Sequence, residues 1–286
     1  MRFTTSLRAL ATELAILGAL AGACFAARAD PAPSMACSRL IKVAISPIGR
    51  SMMVSGNGAV TGIVRDFLDL VSQRSGCAFD YMVVPRARAF AMLEKGNIDV
   101  VPAVNRTDQR DQWGKFVHLY DNRPMLIAFK ERLPSALGLA QLIDGPTSIG
   151  VVRGYDYGPA YAALLSDPRM QTRVSLVLDP EMSARMLVAG HIDAVLMAPS
   201  AFVDAAELAG IVDLVFVTPV DGLPFAPAGM YFARRGVDAT DQAKVETAID
   251  FLVKRGEYSR LLKKYYANPR WALGNLKSTS TASQMP

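Results

Sequence analysis

Met92-Leu93-x-x-Gly96-x-Ile98-Asp99-x-Val101 returns as Met186-Leu187-x-x-Gly190-x-Ile192-Asp193-x-Val195, with every match displaced by 94 residues. Each copy reads as the end of a helix, a glycine stop and the start of a buried strand. A period this long is not that of a short-repeat solenoid; it predicts two similar α/β lobes. Two facing lobes enclose a cleft, which is where a ligand would sit. The alternative is coincidence, because any helix–glycine–strand junction calls for similar residue types.

The ends of the chain read differently from its middle. Arg2 and Arg8 precede an apolar run, Leu14 to Ala23, and Ala27-Arg28-Ala29 offers small residues for cleavage before Asp30. This pattern predicts a secretory signal peptide over 1–29 and a periplasmic protein. An N-terminal anchor is the alternative, although the run is short for a bilayer. Cys24 follows Leu20-Ala21-Gly22-Ala23, a lipobox-like order with its leucine one position too far away. Taking away Arg2, Arg8, Arg28 and Glu13 leaves 28 basic and 25 acidic residues, a net of +3. The basic residues are scattered, which gives no footprint for nucleic acid. Cleavage would leave two cysteines, Cys37 and Cys77, and an even count in an exported chain suggests a disulfide. Two free buried thiols are the alternative.

Residues 40–45 read as a buried strand, and a glycine-bearing loop spans Ser46 to Thr61. Ile63, Phe67, Leu70 and Val71 have helical spacing, ended by Gly76. Strand 78–84, helix 87–95 and strand 98–102 complete a βαβαβ unit, which implies parallel strands. Runs at 116–120 and 124–130 read as further strands. After breaks at Pro134 and Gly145-Pro146, a second series has strands near 148–152, 174–178 and 192–196, with helices near 158–166 and 181–189. Helix 200–208 and strand 211–217 follow. Pro219 to Pro227 reads as a connection. Met230–Ala233 reads as a strand, and two helices run to about Tyr266, with 271–286 a disordered tail.

This order resembles the type II periplasmic binding proteins, and most closely the family 3 extracellular solute-binding proteins of amino-acid-type ABC importers. Gly62-Ile-Val-Arg-Asp66, the segment Gly96-Asn-Ile-Asp99 to Asn105-Arg-Thr107-Asp-Gln-Arg110, and Gly256-Glu-Tyr258 to Tyr265 carry the resemblance. It implies an α/β fold of two lobes, each a mostly parallel sheet flanked by helices. By analogy the chain crosses between lobes near Ile127–Lys130 and Pro227–Tyr231. That gives a first lobe from 30–127 and 228–270 and a second from 128–227. The resemblance also implies a small-molecule ligand, an ABC permease in the inner membrane as partner, a monomer, and no cofactor or metal.

Ligands of open α/β sheets bind beyond the carboxyl ends of strands. In lobe 1 this points to Asn105, Thr107 and Arg110, and Arg110 matches the family position that clamps a ligand carboxylate. A planar guanidinium suits that task; a surface ion pair to Asp108 or Asp111 is the alternative. In lobe 2, Ile149 to Gly158 is a strand turning into a helix, where Arg153, Tyr155, Tyr157 and Asp156 are candidates. Asp156 would either cap the helix or hold an amine. The family's ammonium-binding aspartate falls here at Ala198, followed by Pro199 and Ser200. The first loop reads Pro47-Ile-Gly-Arg50-Ser-Met52-Met53 where the family has an aromatic platform. Both departures argue against an ordinary α-amino acid and towards a carboxylate or other anionic metabolite. Arg50, Arg86 and Arg88 would be spare positive charges near the cleft mouth; solvated surface side chains are the alternative. Catalytic signals are thin: His118 and His191 lie in no metal-ligand pattern. Gly56-Asn-Gly58-Ala-Val-Thr-Gly62 only approaches a dinucleotide fingerprint. An enzyme of the cyclohexadienyl dehydratase type, or a ligand-sensing accessory protein, remains the alternative to a transport binding protein.

Overall fold

The computed structural model describes residues 37–133 and 137–272. The expected signal peptide, Cys24, the break at Pro134 and all but the first two residues of the expected tail lie outside the described residues. In chain order the strands are β1 (Ile41–Ile45), β2 (Met53–Val54), β3 (Val60–Thr61), β4 (Phe79–Val83), β5 (Val100–Asn105), β6 (Gly114–Asn122), β7 (Met125–Phe129), β8 (Ile149–Val152), β9 (Val174–Val177), β10 (Ala194–Met197), β11 (Val215–Pro219) and β12 (Ala226–Ala233). The helices are α1 (Ile63–Ser75), α2 (Arg86–Glu94), α3 (Asp108–Trp113), α4 (Leu139–Asp144), α5 (Pro159–Ser166), α6 (Pro180–Ala189), α7 (Pro199–Leu208), α8 (Ala239–Lys254), α9 (Glu257–Tyr265) and α10 (Pro269–Ala272).

Two five-stranded sheets carry the fold, ordered β4-β1-β5-β12-β6 and β11-β7-β10-β8-β9. Each is mostly parallel with one reversed strand, β12 in the first and β7 in the second. The reversed strand of each sheet is the one that enters from the other lobe. The changes of sheet fall at Arg123-Pro124 and across 220–225, a few residues before the expected crossings, which lie inside β7 and β12. The crossing expected at Ile127–Lys130 already overlapped the strand expected at 124–130, and β12 begins four residues before the expected Met230, with Pro227 paired opposite Asp121.

The repeat is structural. In the first copy Gly96 has φ +70, and Asn97 N–H returns to Met92 O at 2.8 Å. In the second, Gly190 has φ +74, and His191 N–H returns to Met186 O at 2.9 Å. Both are left-handed helix stops of the Schellman type. The repeated aspartates then do the same job. Asp99 Oδ2 accepts from Lys42 N at 2.8 Å, and Asp193 Oδ2 accepts from Ser148 N at 2.8 Å. Each carboxylate thereby ties its strand to the start of the neighbouring one.

Packing follows from the apolar stripes. Ile63, Phe67 and Val71 of α1 bury against one face of the first sheet, beside α8 and α9. Ala89, Phe90 and Leu93 of α2 form a second core with Val101, Val104 and Tyr231 on its other face. Cys37 and Cys77 are bonded, with Cα atoms 4.9 Å apart, at the amino ends of the parallel neighbours β1 and β4. Trp271, expected in the disordered tail, is only 3% exposed; α10 packs on α7 of lobe 2. The strand expected at 211–217 begins at Val215, after turns.

Candidate functional site

The carboxyl ends of β5, β8 and β10 face one another across the lobes and enclose a cavity of about 30 Å³. Lobe 1 lines it with Ile48, Ser51, Arg86, Ala103, Asn105, Arg110, Tyr120 and Asn122, and lobe 2 with Gly154, Tyr155, Asp156, Tyr157, Ala198, Ser200 and Ala201. This is room for about two water molecules, so a ligand of metabolite size enters only when the lobes part.

Arg110 dominates the site. It sits on α3, whose start Thr107 caps by accepting Arg110 N–H on Oγ1 at 3.2 Å. The side chain is buried, its Cζ 4.2 Å from the centre of the Phe90 ring. Nη1 donates to Asn105 O at 2.8 Å, and Nη2 reaches across the cleft to Gly154 O at 3.3 Å. Burial, and then repulsion from Arg86, push its pKa down to about 10, with Asp156 opposing. The guanidinium stays charged at neutral pH, and an anion beside it would relieve the cost of that burial.

On the facing wall, Asp156 Oδ1 accepts Gly158 N–H at 2.8 Å, which shapes the turn into α5. Tyr157 is buried and accepts Ala198 N–H at 2.9 Å; desolvation raises its pKa well above the ordinary phenol value. Ser200, buried at the start of α7, offers its carbonyl to Tyr266 Oη at 3.0 Å. On the lobe 1 side Asn105 Nδ2 donates to Asn122 Oδ1 at 2.5 Å.

Of the expected site residues, Asn105, Arg110, Tyr155, Asp156 and Ser200 come together in this cavity. Three do not. Thr107 is spent on its helix cap and faces a wider neighbouring groove of about 530 Å³. That groove's Arg106 is already paired with Asp111. Arg153 is exposed beyond β8 and outside the cavity lining. Arg50 is bound to lobe 2 instead, with Nε to Asp204 at 2.9 Å and Nη2 to Glu207 at 2.6 Å, while Nη1 donates to Tyr265 O of its own lobe at 3.0 Å. It is a latch across the cleft rather than part of its floor. Arg88 is exposed on α2, whereas Arg86 lines the cavity. Tyr120 and Asn122 were missed. They lie toward the carboxyl end of β6, which runs in the same direction as β5, so a polar residue after that run was the available signal. His118 pairs with Asp121 at 2.8 Å, outside the cavity.

The latch, the Arg110–Gly154 contact, Tyr266 on Ser200, and Arg270 on the carbonyls of Val212 and Val215 all cross between lobes. The structure is therefore a closed form.

This geometry is that of a solute-binding fold, and the comparisons agree. Residues 41–268 match the family model for bacterial extracellular solute-binding proteins, family 3, and the chain belongs to that family. Its members act in the periplasm or outside the cell. The fold is similar to the arginine-, lysine-, histidine-binding protein ArtJ from Geobacillus stearothermophilus, at 17% identity and TM-score 0.66, covering 80% of this chain and 96% of that one. It is also similar to a histidine kinase sensor domain with similarity to periplasmic binding proteins, at 17% identity and TM-score 0.66, covering 84% and 98%. A third similar structure is the ancestral amino-acid-binding protein AncCDT-1, a precursor of cyclohexadienyl dehydratase, at 17% identity and TM-score 0.64, covering 79% and 94%. No curated protein sequence matches the chain.

Proposed function

We propose that this protein binds a small carboxylate-bearing solute between its lobes and presents the closed form to an ABC permease. The observation that carries the reading is Arg110, a buried guanidinium just beyond the carboxyl end of β5 that lines the interlobe cavity and bridges Asn105 O and Gly154 O. A hinge closure driven by contacts to both lobes fits two lobes joined by two short crossings. The division of the chain follows: 30–127 with 228–270, and 128–227, apart from the few residues at each crossing. Where amino-acid binders of the family carry an ammonium-binding aspartate, this chain has Ala198, packed beside Tyr157. A carboxylate without an α-ammonium suits that wall better than an amino acid.

The enzyme reading has only a shared fold behind it, the likeness to a dehydratase precursor. General acid–base work needs a free, tuned group in the cavity, and Asp156, the one acid of its lining, is engaged by Gly158 N–H. The test is a thermal-shift screen of carboxylates and amino acids, since a ligand of the folded state raises apparent stability. A carboxylate is expected to raise the midpoint, and Arg110→Ala to abolish that shift. An unchanged affinity in Arg110→Ala would remove the residue from the site, and turnover of prephenate or arogenate would sink the binding-only reading.

A further inference from the structure

A single carboxylate on Arg110 leaves the second guanidinium of the cavity unexplained. Arg86, at the start of α2, lines the same cavity. Its Nη2 donates to Ala103 O at 2.5 Å, and its Cζ lies 5.4 Å from the centre of the Tyr155 ring. Its Nε is buried and has no hydrogen-bond partner among the described residues. Arg123 Nε and Arg270 Nε are in the same state, so the distinguishing feature of Arg86 is that it lines the cavity beside Arg110.

The backbone is bent to hold this arginine. Ala103 has φ +53, the one non-glycine residue with positive φ among the described residues. It is the extra residue of a bulge: Gly229 and Met230 of β12 pair with Val104 and Pro102 and skip it. Bulges free a residue from the ladder and re-aim what surrounds it, and strain of this kind is kept at functional sites. Here it releases the Ala103 carbonyl to anchor Arg86.

Charge completes the picture. Arg110 and Arg86 meet lobe 2 at consecutive residues, Gly154 and Tyr155, so the two cations are neighbours. The amino terminus of the ten-residue α7, with no side-chain cap, adds a partial positive charge from the facing wall. Asp156 is the only acid of the lining among the described residues, and one of its oxygens is already taken. A cationic or zwitterionic ligand would bring an ammonium against two guanidiniums. A monocarboxylate would balance one guanidinium and leave the charge of the other without a counter-ion in the cavity.

We propose that the ligand is a short dicarboxylate lacking an ammonium group, with one carboxylate held by Arg110 and the other by Arg86. The closeness of the two guanidiniums, which meet lobe 2 at consecutive residues, sets the short length. This rests on the carboxylate reading above and specifies it.

The test is calorimetric titration of the purified mature protein with malonate, succinate, glutarate, butyrate, aspartate and inorganic phosphate. At least one dicarboxylate is expected to bind about tenfold or more tighter than butyrate, as a second charge-assisted contact would give. Succinate is expected to bind tighter than aspartate. Arg86→Gln is expected to close the gap between dicarboxylate and butyrate, and Arg86→Lys to keep part of it, with thermal melts confirming that both variants fold. Equal affinity for butyrate and every dicarboxylate, tighter binding of aspartate, or binding of phosphate alone would overturn the proposal. If butyrate or aspartate binds through Arg110 with no response to Arg86→Gln, the carboxylate reading stands and the dicarboxylate one falls. If no carboxylate binds, both fall.

Discussion

Reduction of the Cys37–Cys77 bond separates stability from binding in this molecule. The bond closes a loop with a sequence separation of 40 residues. Chain-entropy reasoning for a loop of that length gives roughly 4 kcal/mol of stabilisation at 25 °C. For a protein of this size each kcal/mol moves the melting midpoint by about 2–4 °C, so reduction should lower it by roughly 8–16 °C. Both cysteines are buried, so reduced wild type is a better comparison than a serine pair, which would leave two hydroxyls in an apolar site. The bond ties the amino ends of β1 and β4, whereas the cavity lies at the carboxyl ends of the strands. β1 alone, five residues, sets them about 17 Å apart. Ligand affinity at a temperature where both forms are folded should therefore agree within about twofold. The assay is calorimetric melting with and without dithiothreitol, with thiol titration to verify reduction and ligand titration on each form. A midpoint change under about 3 °C would refute the loop-entropy argument. A lost affinity would refute the separation of bond and site.

Three further outcomes are expected. Arg50→Ala removes the latch to Asp204 and Glu207. It should shift the unliganded protein toward an open form, read as a larger radius of gyration in X-ray scattering; identical scattering would dismiss the latch. Gly229→Ala places a Cβ 2.0 Å from Val117 O, a backbone clash that should cost about 3 kcal/mol or more in urea unfolding or prevent folding altogether. Asp99→Ala and Asp193→Ala each strip a carboxylate from a strand-start amide, and each should cost about 1–3 kcal/mol. Asp193→Ala should leave ligand affinity unchanged, and a neutral effect on stability would show the repeat to be incidental.

What could be read in the sequence was local. The repeat, the α1 stripe and the glycine stops are set by neighbours a few residues apart, and they name their own structure. The carboxyl-end rule then brought Asn105, Arg110 and Asp156 to the strand ends that border the interlobe cavity, without any coordinates. Arg50 defeated that reasoning because its partners lie more than 150 positions away on α7. Thr107 was read as a ligand contact because α3, only six residues long, is too short to display periodicity, so its cap looked like a polar loop. The role of Arg86 depends on a bulge at Ala103, and nothing in Pro102-Ala-Val reveals a positive φ. Trp271 looked like the start of a tail because its burial comes from lobe 2, far back along the chain.

The place of β12 in the first sheet has a consequence for assembly. It is inserted between β5 and β6, strands that precede it by more than a hundred residues. Without it, β5 has no neighbour on one side and β6 has no sheet to join. Residues from β7 to β11, by contrast, are contiguous and contain a whole sheet. A chain emerging from its amino end can finish lobe 2 as soon as Pro219 is free. Lobe 1 must wait with an open gap until residue 233 arrives, because a pairing this distant forms slowly. A chain cut short before β12 would carry one completed lobe and one exposed pair of strand edges, the kind of surface that recruits other chains.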